Sequence, residues 1–300
     1  MSSGRSIVST CAARAALAGN PSDGYGGAVV AIPVPDLTAI ATLDETEGDA
    51  FSVRASDADL RRVLDATGAA YAERFGPLPE VVASVSTSIP RSVGLAGSSA
   101  IIIAFLRALG AWTSHSWQPL ELAELALSVE RRHMDVEAGL QDRLVQAVGK
   151  PVSMTFDPVG FDVLQIPDHF QLFLAWDVHG DAPSATVHRS LRRRYDAGDE
   201  SVRTAMNELA VQAGRARRGI VDGDAALLAD AMHRTMAIRI RIVDISETQK
   251  RLVAVGRAAG AAVNSAGSGG SVVGLARTAD HLAAVERAYV AEGHDFLELD

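Results

Sequence analysis

Residues 90–100 read Pro90-Arg91-Ser92-Val93-Gly94-Leu95-Ala96-Gly97-Ser98-Ser99-Ala100. Before them, residues 81–89 alternate apolar and hydroxyl side chains; after them, residues 98–112 form an apolar run. The first pattern predicts a strand and the second a helix. The small residues between let the backbone fold tightly and expose consecutive N–H groups. A helix starting near Ser98 turns its positive end toward that loop, and the combination binds phosphate. The loop is not of the Walker type. The chain has two lysines, Lys150 and Lys250, and neither lies in a glycine loop. Relief of phosphate charge therefore falls to Mg²⁺, backbone dipoles or arginine. Ser98 or Ser99 supplies a hydroxyl for Mg²⁺ or a phosphate oxygen. The same residues also fit a plain glycine turn with serine caps, so further groups must decide.

Two carboxylates downstream supply them. Glu130 stands in Leu127-Ser128-Val129-Glu130-Arg131-Arg132, late in the amphipathic stretch 119–134. Asp142 stands in Ala138-Gly139-Leu140-Gln141-Asp142-Arg143. A helix end and a glycine turn lie between them, which lets both reach one place. Near a polyphosphate, one carboxylate ligates Mg²⁺ and the other accepts the proton of an attacking alcohol. We assign the metal to Glu130 and the base to Asp142. The competing reading has both solvated, with Glu130 paired to a neighbouring arginine.

Outward from this centre, the N-terminal part is β-rich: 6–18 is apolar and small, and 28–34 reads as a strand after the turn Asp23-Gly24-Tyr25-Gly26-Gly27. Helical spacing appears at 57–75, 98–112, 119–134 and 137–148, and a strand at 151–156. The turn Asp157-Pro158-Val159-Gly160 suggests a boundary, giving domains 1–160 and 161–300. The second half predicts strands at 171–176 and 271–276 and helices at 199–221, 224–242, 245–260 and 278–292, with Gly267–Gly270 interrupting. Strands and helices mix without a βαβ repeat, so the expected class is α+β layers.

The net charge of −9 gives no electrostatic reason to bind nucleic acid or an anionic membrane. An anionic substrate would need basic groups concentrated locally. The single cysteine, Cys11, excludes an internal disulfide and a multi-cysteine metal site and suits a reducing cytoplasm. No window approaches the roughly 18 apolar residues of a membrane helix. The acid-free start, residues 1–22, imitates a transit peptide, but cleavage there would remove a glycine motif, so it is read as part of the fold. The histidines lack paired ligand spacing.

Three ordered segments carry a resemblance: Ala13-Arg14-Ala15-Ala16-Leu17-Ala18-Gly19-Asn20-Pro21-Ser22-Asp23, the 90–100 loop, and Ala266-Gly267-Ser268-Gly269-Gly270-Ser271. The chain resembles the GHMP-type small-molecule kinases, and within them the glucuronokinases. The resemblance implies a two-domain α+β fold with the nucleotide in the interdomain cleft, and ATP and Mg²⁺ as cofactors. It places Asp142 as the catalytic aspartate, Arg14 near the reacting phosphate, and Glu130 and Ser99 as magnesium ligands. Pro90, Gly94, Leu95, Ala96, Gly97, Ser98, Ser99 and Ala100 form the nucleotide loop. Asn20, Ser22, Asp23, Arg91, Gly139, Gln141, Gly267, Ser268 and Gly269 fall at the substrate. The implied activity is phosphorylation of glucuronate, or a similar uronic acid, to the 1-phosphate. Arg91, Arg192, Arg193 and Arg194 are candidates for its carboxylate, and His188 lies in a related segment. A same-family kinase for another sugar, such as a heptose phosphate, and an inactive nucleotide-binding regulator are the alternatives. The chain departs from the family pattern at Asn264 and Ala266, where a lysine and a threonine are usual. Oligomeric state is not legible.

Overall fold

The computed structural model describes residues 4–46, 48, 50–179 and 184–299, with side chains excepted at 184–188. The chain forms two compact units. The first comprises Met1–Ala13, Val34–Ile89 and Ala96–Gly149; the second comprises Arg14–Pro33, Pro90–Leu95 and Lys150–Asp300. Strands β1 (Ser6–Ala18) and β2 (Ala28–Glu45) contribute residues to both. Each unit contains strands and helices, the expected α+β class.

In the first unit, β3 (Ser52–Arg54) runs parallel to β4 (Val81–Thr87). β4 runs antiparallel to the far end of β2, from Ala39 opposite Thr87 to Glu45 opposite Val81. Helix α1 (Ala58–Phe75) starts on Asp57, whose carboxylate accepts from the Leu60 amide at 2.9 Å. Helix α2 (Gly97–Thr113) is apolar around its circumference, and Ala100–Leu106 is buried throughout. A helix of that composition belongs in a core. Helix α3 (Pro119–Ser128) begins on proline, which needs no amide partner there, and helix α4 is Gln141–Val148.

In the second unit, the near end of β2 pairs with β5 (Val152–Phe156), and β5 pairs antiparallel with β6 (Val159–Val163). The Asp157–Gly160 turn is thus a hairpin inside this unit. A four-stranded antiparallel sheet is ordered β10 (Asp295–Leu299), β7 (Gln171–Trp176), β9 (Ser271–Ala276) and β8 (Ala262–Ser265). Its helices are α5 (Ser184–Asp196), α6 (Glu200–Asp222), α7 (Ala225–Ile242), α8 (Glu247–Ala258) and α9 (Ala279–Ala291). Gly223, in the left-handed conformation, ends α6, and the Asp224 side chain caps α7. One core joins Phe173, Met236, Leu252, Val263, Val285 and Tyr289; another joins Leu191, Val202, Met206, Leu209 and Ile242.

No helix among the described residues is long and apolar enough to cross a membrane. Phe173 on β7 lies opposite Gly274 on β9, and a Cβ at Gly274 would collide with Phe173 Cζ. Gly274→Ala should therefore destabilise the second unit by about 1–3 kcal/mol through overpacking. Thermal or denaturant unfolding followed by near-ultraviolet dichroism checks this; an unchanged midpoint would contradict the packing described.

Candidate active site

The first unit carries an acidic cluster beside the start of α2. Ala96 adopts a left-handed conformation, φ 60° and ψ 42°, and no side chain caps the helix. Its first-turn amides therefore lack side-chain acceptors, as an anion-binding helix start requires. Ser98 is exposed there, whereas Ser99 is buried. The Ser99 hydroxyl lies 2.6 Å from Gln146 Oε1 and 3.1 Å from the Ala96 carbonyl. Gln146 Nε2 donates to the carbonyls of Ala96, at 3.0 Å, and Ala12, at 3.1 Å. Ser99 and Gln146 thus hold the loop from inside, and Ser98 is the hydroxyl bonded to Glu130.

Glu130 is 2% exposed, a depth at which a lone carboxylate is very costly. The sequence predicts one helix over 119–134. In the structure α3 stops at Ser128 and widens into a π-turn, Val129–His133. Such turns re-aim side chains and recur at functional sites. Glu130 does pair with an arginine, but not with Arg131 or Arg132. Arg131 donates to the Ala138 carbonyl, and Arg143 from α4 meets Glu130. Both guanidinium contacts fall on Oε2. Burial pushes the Glu130 carboxyl above its ordinary range, opposed by the charge and hydrogen bond of Arg143.

Arg143 also reaches Asp142 Oδ2 at 3.4 Å and donates to the Gly139 carbonyl at 2.9 Å. Gln141 Nε2 donates to Asp142 Oδ1 at 3.0 Å. One guanidinium therefore gathers the two carboxylates singled out from sequence. Among the described residues no group of three or more His, Cys, Asp or Glu is placed to hold a metal. Glu130 and Ser98 nonetheless offer hard oxygen donors, and Mg²⁺ typically takes one or two protein oxygens with phosphate and water completing its shell. The residues fit Mg²⁺ on those terms.

The second unit holds a glycine knot. A Cβ on Gly94 would strike the Gly269 amide, and one on Gly267 would strike the Gly94 carbonyl. Only glycine allows backbones this close, and Gly94 also needs its φ of 83°. Arg14, 4% exposed, donates through Nη1 to the carbonyls of Gly94, at 2.7 Å, and Ala266, at 3.1 Å. Arg239 from α7 donates to the carbonyls of Asn20, at 3.1 Å, and Gly267, at 2.9 Å. Burial, with repulsion from Arg14 added, pulls its pKa down to about 10. Gln249 Nε2 donates to the Gly269 carbonyl at 2.8 Å.

Of the expected substrate residues, Asn20 and Ser22 are turned inward. Asn20 Nδ2 donates to Ser265, and Ser22 Oγ donates to Ala28. Asp23 and Ser268 are partly exposed, and Arg91 is exposed. The side chain of His188 lies outside the described residues. Sequence reading missed Gln146, Arg239 and Gln249 and gave Arg143 no role. Only Arg143 left a signal, by following Asp142 within a quoted motif.

Arg143→Met should cost roughly 3–5 kcal/mol, because it strands the buried Glu130 charge. Adding Glu130→Gln should recover part of that loss. Chemical denaturation of wild type and the two variants checks this; equal stability of single and double variants would refute the coupling.

Comparison with known proteins identifies the family of the chain. The family model for the GHMP kinases N terminal domain matches residues 61–150, and that for GHMP kinases C terminal matches 216–295, together more than half of the chain. A protein described as probable glucuronokinase 2, from Arabidopsis thaliana, is 32% identical over 202 residues, covering 63% of this chain and 55% of that protein. The chain thus spans about half the length of that curated relative. Galactokinase from Mycobacterium tuberculosis is 29% identical over 346 residues, covering 94% of this chain and 93% of that one. Lactococcus lactis galactokinase, solved with galactose, shares the fold with a TM-score of 0.84 at 14% identity, over 99% of this chain and 94% of that one. The chain belongs to the GHMP kinase family.

Proposed function

We propose that this protein transfers the γ-phosphoryl group of ATP to the anomeric hydroxyl of glucuronate or a similar uronic acid, giving the 1-phosphate and ADP. The observation that carries the kinase reading is the gathering of Glu130 and Asp142 by Arg143 beside Ser98 and the open start of α2. Two carboxylates next to an anion-binding helix start make sense when one would help hold a divalent cation that offsets phosphate charge and the other serves the attacking hydroxyl. The uronate reading leans on the glucuronokinase likeness.

Gly94, Leu95, Ala96, Gly97, Ser98 and Ala100 form the loop that takes the phosphates, following Pro90. Ser98 and Glu130 would hold Mg²⁺, with Ser99 supporting from behind through Gln146. The ion would neutralise charge on the transferring group. Asp142 orients the sugar hydroxyl and takes its proton. The sugar oxygen forms its bond to the γ-phosphorus as the bond from phosphorus to the β-bridging oxygen breaks, and ADP leaves with the electron pair. Arg143 keeps the Asp142 carboxylate in place, and Gly139 and Gln141 shape its turn. Arg14 is assigned to the phosphoryl charge, and Asp23 to the sugar hydroxyls. Asn20, Ser22, Gly267, Ser268 and Gly269 shape the substrate loops, and Arg91 is assigned to the substrate with them.

A second reading has a neutral hexose as substrate, and the near full-length galactokinase likeness favours it. Assay of ATP and Mg²⁺ against glucuronate, galacturonate, galactose and a heptose phosphate, with product identification, separates the readings. Uronate 1-phosphate should dominate; equal turnover of neutral sugars would overturn the uronate reading. Asp142→Asn should lower kcat by roughly 100- to 10,000-fold while ATP binding is largely kept. An unaltered kcat would remove Asp142 from catalysis.

A further inference from the structure

We propose that Arg192 reads the substrate carboxylate, an assignment that rests on the uronate reading above. Helix α5 bears Arg189, Arg192, Arg193 and Arg194 on a chain of net charge −9. An overall negative field repels an anionic sugar, so recognition needs a local cationic patch. The structure separates three of these arginines. Arg194 is engaged elsewhere: Nε meets Asp199 Oδ2 at 2.9 Å, and Nη1 donates to the Ile242 carbonyl at 2.9 Å. Arg193 is exposed. Arg192 instead turns to the segment that follows β1. Its Nη2 donates to the Gly24 carbonyl, one residue beyond Asp23, and its guanidinium lies 4.4 Å from the centre of the Tyr25 ring.

The core fixes this placement. Leu191, its neighbour in sequence, is buried among Val202, Met206, Leu209 and Ile242, with Tyr25 and Tyr195 packed at the edge. The two tyrosine rings lie 4.6 Å apart. Leu191 therefore sets the rotation of α5, and the ring pair supports the guanidinium face. Stacking uses that face and leaves the N–H edge for a ligand. Nη1 has a loose surface contact with Asp196 at 3.8 Å, and 40% of the Arg192 side chain is exposed. A guanidinium held this way binds a carboxylate through two parallel hydrogen bonds, which an ammonium cannot imitate.

The rival role is a clip that merely shapes the Asp23–Tyr25 loop. Glucuronate and its neutral amide, glucuronamide, separate the two, because they differ only at the carboxylate. The ratio of kcat/KM for glucuronate to that for glucuronamide is measured for wild type, Arg192→Met, Arg192→Lys and Arg193→Met; inhibition constants replace kcat/KM if the amide is not turned over. Arg192→Met should lower the ratio by about tenfold or more with KM for ATP unchanged. Arg192→Lys should recover only part, and Arg193→Met should match wild type. A clip would depress both sugars equally and leave the ratio fixed, which overturns the assignment. A wild type that prefers uronates while Arg192→Met keeps that preference removes Arg192 alone. A wild type indifferent to the carboxylate removes the uronate reading and this assignment with it.

Discussion

The backbones of Gly94 and Gly269 meet so closely that a methyl group on either would collide with the other. This approach ties the second glycine segment to the third, and Arg14 locks it by donating to Gly94 and Ala266. A buried guanidinium satisfied by carbonyl oxygens is an uncommon use of a costly charge. Here it spans segments that lie about 80 and 250 residues from it in sequence. The shape of Pro90–Leu95 follows from that knot, and the chain passes from Leu95 directly into Ala96 and α2. The left-handed backbone of Ala96 then points the first turn of α2 without a capping side chain. A non-glycine residue in that conformation costs about 1–2 kcal/mol, offset by the Gln146 hydrogen bond to its carbonyl.

Arg143 plays the matching part in the first unit. It is buried, and it brings a π-turn carboxylate, a helix-start carboxylate and a glycine carbonyl to one point. Its two contacts with Glu130 both fall on Oε2, so the pairing is lopsided. Under the kinase reading that lopsidedness matters, because Arg143 holds one oxygen of Glu130 and Ser98 also bonds this carboxylate. Buried ion pairs are poor sources of stability. This one is better understood as setting where the carboxylates stand.

Most long elements were legible because their cause is local. Helical spacing placed α1, α2, α6, α7, α8 and α9, and apolar runs placed β7 and β9. Among the short strands, β5 was legible and four others were not. β3, β6, β8 and β10 have three to five residues each, and their pairing partners lie elsewhere in the chain. Strand β2 runs on to Glu45, well past residue 34, because β4 pairs with its far end. The carboxylates and glycines of the site were legible because their chemistry is confined to short segments. The side chains that hold them were not. Gln146 lies on the buried face of α4 and Arg239 on that of α7, and nothing local distinguishes a buried arginine from a solvated one.

Inward-turned residues also explain why the chain can depart from its family at Asn264 and Ala266. Asn264 is fully buried, and its Nδ2 serves Ala16, Leu17 and the Asn20 side chain. Ala266 acts through its carbonyl, which accepts from Ala16 and Arg14. Neither position needs the usual lysine or threonine to keep the third glycine segment folded. The backbone bonds made by the alanine and the amide of the asparagine do that work. The departure therefore bears on side-chain chemistry beyond the turn and leaves the knot itself intact. With Asn20 and Ser22 also committed to the loop interior, the uronate reading leaves discrimination between sugars to groups whose side chains still reach solvent. Around this loop they include Asp23, Ser268, Arg91 and the guanidinium stacked on Tyr25.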